Sequence, residues 1–356
     1  MKPAAGGIEQ SAKRVVTLCG LNIPPAAVKS IEHSRVYDNY LDRHSAIGLK
    51  YEVVAYVALD MKSILSTLVV IGYTLTASGI EAYLTMENDT FSTRHDDDYT
   101  HGTKLEVVDG HRHYMLQQTM YAPSDLDRKD HIVGDRPYCG MLIVGIGYEF
   151  LNDPDTPWTH YGEFDFGMIG PAAGCKETQT LIHKWLGCRE PKGWDNQLHN
   201  EFVVNGQWWT KYNWHIADWI AVVPRAGVAA GTIQDFAEVG CDLKIGWNIR
   251  PTPANDLILS SARDGEGWAK KVTAYVYVGV DERYYLYNHV LEGSMFGHRD
   301  DGLDVKKEPF VGEFRFGAVV KVDRFFATYY SVIRQDEFKH QKNSPNYGGI
   351  GIGWGW

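Results

Sequence analysis

Downstream of residue 82 the sequence carries no Gly-x-Ser-x-Gly elbow, no Walker loop, no dinucleotide fingerprint and no His-Glu-x-x-His helix. Their absence excludes the common serine-hydrolase, nucleotide-binding and zinc-protease chemistries. A basic excess is missing too. With 35 Lys and Arg against 45 Asp and Glu, the net charge is -10, and a chain without a positive surface has no general affinity for nucleic-acid phosphates. Cysteine is scarce: five residues and no CxxC pair argue against a zinc site. Long apolar runs are almost absent. The single candidate, residues 64–80, is short for a membrane helix and broken by Ser, Thr and Gly. Because it follows Met61-Lys62 directly, it reads instead as a signal peptide, with small residues for cleavage near Gly79 or Ala82. The expected organisation is an upstream segment 1–60 outside the mature fold, a signal peptide 61–82 and one folded domain, 83–356.

What is present is aromatic and glycine-rich. The chain is 13% aromatic with 36 Gly, and its mean hydropathy of -0.30 is far too polar for a bundle of membrane helices. Tyr and Trp are the residues that settle at membrane boundaries. From Tyr83 onward the pattern is mostly period two, which is the signature of a transmembrane barrel. The C-terminus shows it best: 350, 352, 354 and 356 are Ile, Ile, Trp and Trp, while 349, 351, 353 and 355 are all Gly. One face of that strand suits lipid and the other leaves space inside.

Strands are expected at 83–92, 100–109, 112–121, 138–150, 158–169, 233–248, 269–281, 283–292, 309–322, 324–336 and the C-terminal segment. The stretch 200–225 reads as one long bent strand or as two. Taken as one, it gives twelve, an even count that bacterial single-chain barrels require. The fold class is therefore all-β, a twelve-stranded antiparallel transmembrane barrel with a short helix in an extracellular loop. Long connections at 92–99, 122–137, 170–199, 250–268, 293–308 and 337–344 then fall outside the cell.

Three polar clusters sit at the outer strand ends. Glu87-Asn88-Asp89 with Asp96-Asp97-Asp98-Tyr99-Thr100-His101 concentrates hard oxygen ligands of the kind calcium prefers, and reads equally as a solvated acidic loop. Asp127-Arg128-Lys129-Asp130-His131 and Asp135-Arg136 offer cations that suit phosphate or sugar, or ordinary loop charge. In the third, Gly170-Pro171 opens a helix that Gly187 closes, and Gln179 and His183 share one face at i, i+4. Histidine is the side chain best suited to take a proton from water near neutral pH, although a lone helical His is more often structural. Cys175 and Cys188 flank this helix, either joined or free.

In order and combination, these segments resemble the lipid A 3′-O-deacylases of the outer membrane, over almost the whole of 83–356. The resemblance is carried by Glu87-Asn88-Asp89, Asp98-Tyr99-Thr100-His101-Gly102, Met120-Tyr121-Ala122-Pro123-Ser124, Arg136-Pro137-Tyr138-Cys139-Gly140, Gly170-Pro171 through Gln179 and His183, and Gly193-Trp194 through Gln197, Asn200 and Glu201. It implies calcium-dependent hydrolysis of the 3′-linked acyl (acyloxyacyl) ester, resembling secreted phospholipase A2 in its chemistry. It also implies His183 as the base, Gln179 beside it, Thr100 near the centre, Asn88 and Asp89 at a Ca2+ site, and Arg128 and Lys129 on the phosphorylated glucosamine. The expected partners are lipid A or lipopolysaccharide and the outer membrane, for a monomer whose site faces the exterior. Arg189-Glu190 at the helix exit departs from the family pattern and leaves Glu190 unassigned as an acidic ligand. Two alternatives are a non-enzymatic barrel, porin or adhesin, and an outer-membrane phospholipase; the latter is opposed by the lack of a serine placed beside His183.

Overall fold

A computed structural model describes residues 79–92, 98–150, 156–250, 272–296 and 303–356. The expectations for 1–60 and for the signal peptide, and those for Asp96 and Asp97, lie outside the described residues. Twelve antiparallel strands form the barrel: β1 Ile80–Asn88, β2 Asp98–Asp109, β3 Arg112–Ala122, β4 Cys139–Phe150, β5 Trp158–Ile169, β6 Glu201–Tyr212, β7 Ile220–Gly231, β8 Gln234–Trp247, β9 Val272–Asn288, β10 Phe310–Val322, β11 Phe325–Arg334 and β12 Tyr347–Gly355. Beyond Asn213, β6 continues as a short piece, Trp214–Ala217, that stays paired to β7. Each strand pairs with its sequence neighbours, and β1 pairs with β12, from Glu81 opposite Gly355 to Asn88 opposite Gly348. The ring is closed, so no strand edge is left for lipid to meet unpaired.

The count agrees with the expected twelve through two compensating differences. Residues 200–225 contain two strands, because the chain turns at Asp218-Trp219 between Ala217 and Ile220. Residues 269–292, expected as two strands, hold the single long β9. Asp281, Glu282 and Arg283 resemble a turn in composition, yet Asp281 and Arg283 face the lumen, where Arg315 Nε lies 2.7 Å from Asp281 and Arg283 Nε donates to Glu238 at 2.7 Å. This moves the connection between β8 and β9, expected outside, to the end that carries the short turns. Its residues 251–271 lie outside the described set.

Burial follows the period-two pattern. Along β12 the glycines are buried, while Ile350 and Trp354 are exposed and Ile352 is half-buried. A side chain at Gly349 would meet the Tyr330 ring at 2.1 Å, so glycine there makes room for a lumen tyrosine. Exposed Trp158, Trp214, Trp219, Trp247 and Trp354 cluster toward the short-turn end, the aromatic girdle of a membrane boundary. The lumen is filled. Arg225 pairs with Asp242 at 3.3 Å and Arg315 with the same carboxylate at 2.7 Å, while Arg334 pairs with Glu313 at 2.7 Å. A chain of crossed charges at mid-barrel leaves little of the open bore of a porin.

At the opposite end stand the long connections. The one between β5 and β6 contains α1, Cys175–Leu186, closed by Gly187 in the left-handed region at φ 67°. The helix lies where the sequence places it. Cys175 and Cys188 are free thiols. Twelve helical residues at about 1.5 Å each hold the two ends roughly 18 Å apart, far beyond disulfide reach.

Candidate active site

The mouth of the barrel on the long-connection side gathers the chemistry-bearing residues in two groups. The first is built by β1 and β2. Asn88, the last residue of β1, caps a 3-10 turn at Asp89–Phe91, with its Oδ1 accepting from the Thr90 amide at 2.9 Å. Its Nδ2 donates to the Thr100 carbonyl at 2.6 Å. Asp89 is 2% exposed and accepts from the Thr90 amide at 2.7 Å. Thr100 is buried and is the extra residue of a β-bulge, since Tyr99 pairs with Tyr121 and His101 with Met120. Bulges re-aim a chain locally and are common beside active sites. Just beneath, the hydroxyls of Tyr99 and Tyr330 both donate to Glu87.

The second group is carried by α1. Cys175, Gln179 and His183 recur every four residues and all three are buried, whereas Leu181 and Trp185 are exposed. A helix that buries a Gln and a His while Leu181 and Trp185 stand exposed has a reason other than packing for doing so. His183, 7% exposed, makes a hydrogen bond through Nδ1 to the backbone carbonyl of Arg189. A carbonyl only accepts, so Nδ1 carries the proton and Nε2 is the lone-pair nitrogen of the neutral ring. Gln179, 3% exposed, accepts at Oε1 from the Trp194 indole at 2.7 Å, which fixes its amide; its Nε2 has no hydrogen-bond partner among the described residues. A buried donor without a partner is rare and marks a group kept for a ligand or water.

The two groups meet through one packed cluster. Met120, opposite the Thr100 bulge, is fully buried against Ala173, Cys175, Tyr138 and Trp194. Gln118 of β3 donates to the Ala173 carbonyl at 2.8 Å and tethers the helix entrance. At Gly140 an added Cβ would stand 2.6 Å from Cys175 Cβ, so only glycine lets β4 and α1 approach this closely. Burial pushes the Cys175 thiol up to about 12, which leaves it protonated and inert as a nucleophile.

Arg128 and Lys129 are exposed, and their main chain is tied to the segment after α1. Asn196 donates to the Lys129 carbonyl, and Arg128 O lies 2.8 Å from where a Cβ on Gly193 would stand. Asp127 accepts from Lys192 at 2.8 Å and from Arg189 at 3.1 Å. Arg136 differs from the reading of its cluster as a ligand-facing cation: it is buried and paired with Asp98 and Glu337. Glu190 is exposed, 3.9 Å from Lys184. The carbonyl of Arg189, the indole of Trp194 and the Arg136 pair are the site features that the sequence did not single out. Trp194 and Arg136 stand within the quoted motifs, but a main-chain oxygen leaves no mark in composition.

A closed antiparallel barrel of twelve strands, lipid-facing outside and charge-filled within, with a polar helix over its mouth, defines an outer-membrane β-barrel protein. More particularly, the chain belongs to the family described as outer membrane protein LpxR, whose model matches residues 62–356. Among solved structures it is similar to LpxR from Salmonella typhimurium, at 18% identity and a TM-score of 0.65 over 78% of this chain and 100% of that one. Fainter likenesses extend to the KdgM porin, 6% identical with a TM-score of 0.35 over 78% of this chain and 99% of that one, and to the β domain of the Bordetella autotransporter BrkA, 9% identical with a TM-score of 0.39 over the same shares. No curated protein sequence matches it.

Proposed function

We propose that this protein hydrolyses the 3′-linked acyl (acyloxyacyl) ester of lipid A at the outer leaflet, with His183 activating water. The observation that carries the reading is the ring of His183, buried and held by the Arg189 carbonyl so that Nε2 holds the lone pair. In the reaction, Nε2 takes a proton from water as its oxygen bonds to the ester carbonyl carbon. The tetrahedral intermediate then collapses, the bond to the sugar 3′-oxygen breaks, and the same proton passes to that oxygen. Free acid and free hydroxyl leave. Gln179 offers its amide hydrogens to water or to the ester oxygen, and Thr100 forms the bulge of β2 at the same mouth of the barrel.

The residues present fit a calcium ion in kind. Asn88 and Asp89 supply an amide and a carboxylate oxygen, hard donors of the kind calcium takes. Among the described residues no three His, Cys, Asp or Glu side chains converge on one point, so the further ligands would include main-chain, amide or hydroxyl oxygens and water. When bound, such an ion supplies fixed positive charge beside the developing oxyanion. Exposed Arg128 and Lys129 stand ready for the phosphorylated glucosamine.

Mass spectrometry of lipid A from cells with and without the expressed protein tests the proposal. Loss of the mass of the 3′-linked acyl group is expected. Unchanged lipid A, with the barrel assembled, overturns it.

A further inference from the structure

Arg136 lies in the connection between β3 and β4 and is 1% exposed. Its Nε is 2.7 Å from Asp98 Oδ1 and its Nη2 donates to Glu337 Oε2 at 2.6 Å. The rings of Tyr121 and Phe338 stand 5.4 and 5.3 Å from its guanidinium carbon. Burial alone would weaken this cation, but the two carboxylates outweigh it and keep the group charged.

Asp98 joins this pair to the site. Its φ of 59° is left-handed, a region that residues other than glycine occupy only when something holds them there. Immediately afterwards, Tyr99 pairs with Tyr121, the ring under Arg136, and Thr100 forms the bulge. The Thr100 carbonyl fixes the Asn88 amide, nitrogen toward Thr100 and oxygen toward the Thr90 amide. A shift at Asp98 is therefore passed, through two residues of backbone, to the oxygen of Asn88.

The geometry points to Arg136 as a positioning residue for the hydrolytic site: by gripping Asp98 it sets the Thr100 bulge and thereby aims Asn88. The inference rests on the proposed hydrolysis and on the part given to Asn88 in it. Glu337, the other partner of Arg136, holds the same guanidinium and also pairs with Arg334 at 3.3 Å.

The test uses full-length protein in detergent, with Arg136→Met, Arg136→Lys, Asp98→Asn and Glu337→Gln. Each is assayed for kcat and KM on lipid A. Each is also titrated with calcium alone in a His183→Ala background, reading the temperature of the heat-modifiable gel shift. Outer-shell partners of a ligand typically contribute about tenfold to a hundredfold, so Arg136→Met is expected to lower kcat by about tenfold or more, with KM little changed, and to move the calcium midpoint upward by a similar factor. Asp98→Asn should follow it, Arg136→Lys should recover part of the loss by keeping the charge, and Glu337→Gln, which loosens the same guanidinium, should lower kcat in the same direction. An Asp98→Asn variant that keeps wild-type kcat, or a calcium midpoint that Arg136→Met does not move, overturns the proposal. A wild type that leaves lipid A unchanged overturns the hydrolytic reading and this inference with it, whereas an active wild type whose Arg136→Met variant keeps its kcat overturns the inference alone.

Discussion

His183 donates from Nδ1 to the main-chain carbonyl of Arg189, six residues further on and past the glycine that ends its helix. The same Gly187 lets the Cys188 amide reach back to the His183 carbonyl at 2.9 Å. The helix end and the ring are thus fixed by one short turn, and a base whose tautomer is fixed needs no carboxylate partner to choose it.

Replacing His183 by Ala should lower deacylation by about 10² to 10⁴-fold, the usual contribution of a positioned base. The barrel should still form, since α1 stands over the mouth and outside the strand ladder. Lipid A mass spectra together with heat-modifiable migration on gels check both parts. Near-wild-type turnover would show that another group activates water.

Asp89→Ala, or chelation of the wild type with EDTA, should each abolish activity, and only the chelated enzyme should recover when calcium is returned. Asp89 is buried next to Asn88, and carboxylate and amide oxygens favour calcium over zinc. Full activity in EDTA would remove the metal from the mechanism.

Gly140→Ala places a methyl group 2.6 Å from Cys175 Cβ, both of them on backbone that cannot swing aside. The helix must move away from β4, and displacements of about 1 Å in a catalytic group can cost on the order of 10²-fold. A loss of kcat with unchanged migration of the folded barrel is expected. An unaffected kcat would mean that α1 floats freely over the strands.

Ile352→Arg puts a charge on the lipid face of β12, between Leu84 of β1 and Ala327 of β11. A charge near the bilayer midplane costs a barrel about 2 to 4 kcal/mol. Urea titration into lipid vesicles reads the loss, and a variant as stable as wild type would contradict the outward facing of this residue.

N-terminal sequencing of protein extracted from outer membranes should find a start between Ile80 and Tyr83, with residues 1–60 absent. Ile80 opposite Asp109 and Glu81 opposite Gly355 already form ladder pairs, which favours the earlier edge of that window. Recovery of a chain still carrying residues 1–60 would contradict the expected processing.

The alternation from Gly349 to Trp356 was readable because each inward glycine and each outward Ile or Trp obeys one strand period. The turn at Asp218-Trp219 was not, because a single Asp between apolar neighbours, with no Gly or Pro beside it, does not stand out from a strand. Asp281-Glu282-Arg283 misled in the opposite direction: in composition, a charged lumen and a solvated turn look alike. His183, Gln179, Asn88 and Asp89 stand out in the sequence as candidates, and the structure places all four at the barrel mouth. The clasp of Arg136 on Asp98 and Glu337, 38 and 201 positions away, was hidden because such pairs form only when the barrel closes.

The Arg189 carbonyl also bears on what heredity can see. Every amino acid supplies that oxygen, and the Arg189 side chain adds only an exposed pairing with Asp127. A scan of all twenty residues at position 189 would therefore record it as neutral, although it offers the base its orienting contact. What the contact depends on is the spacing from His183 to Arg189, so the damaging lesion is the gain or loss of one codon in that stretch.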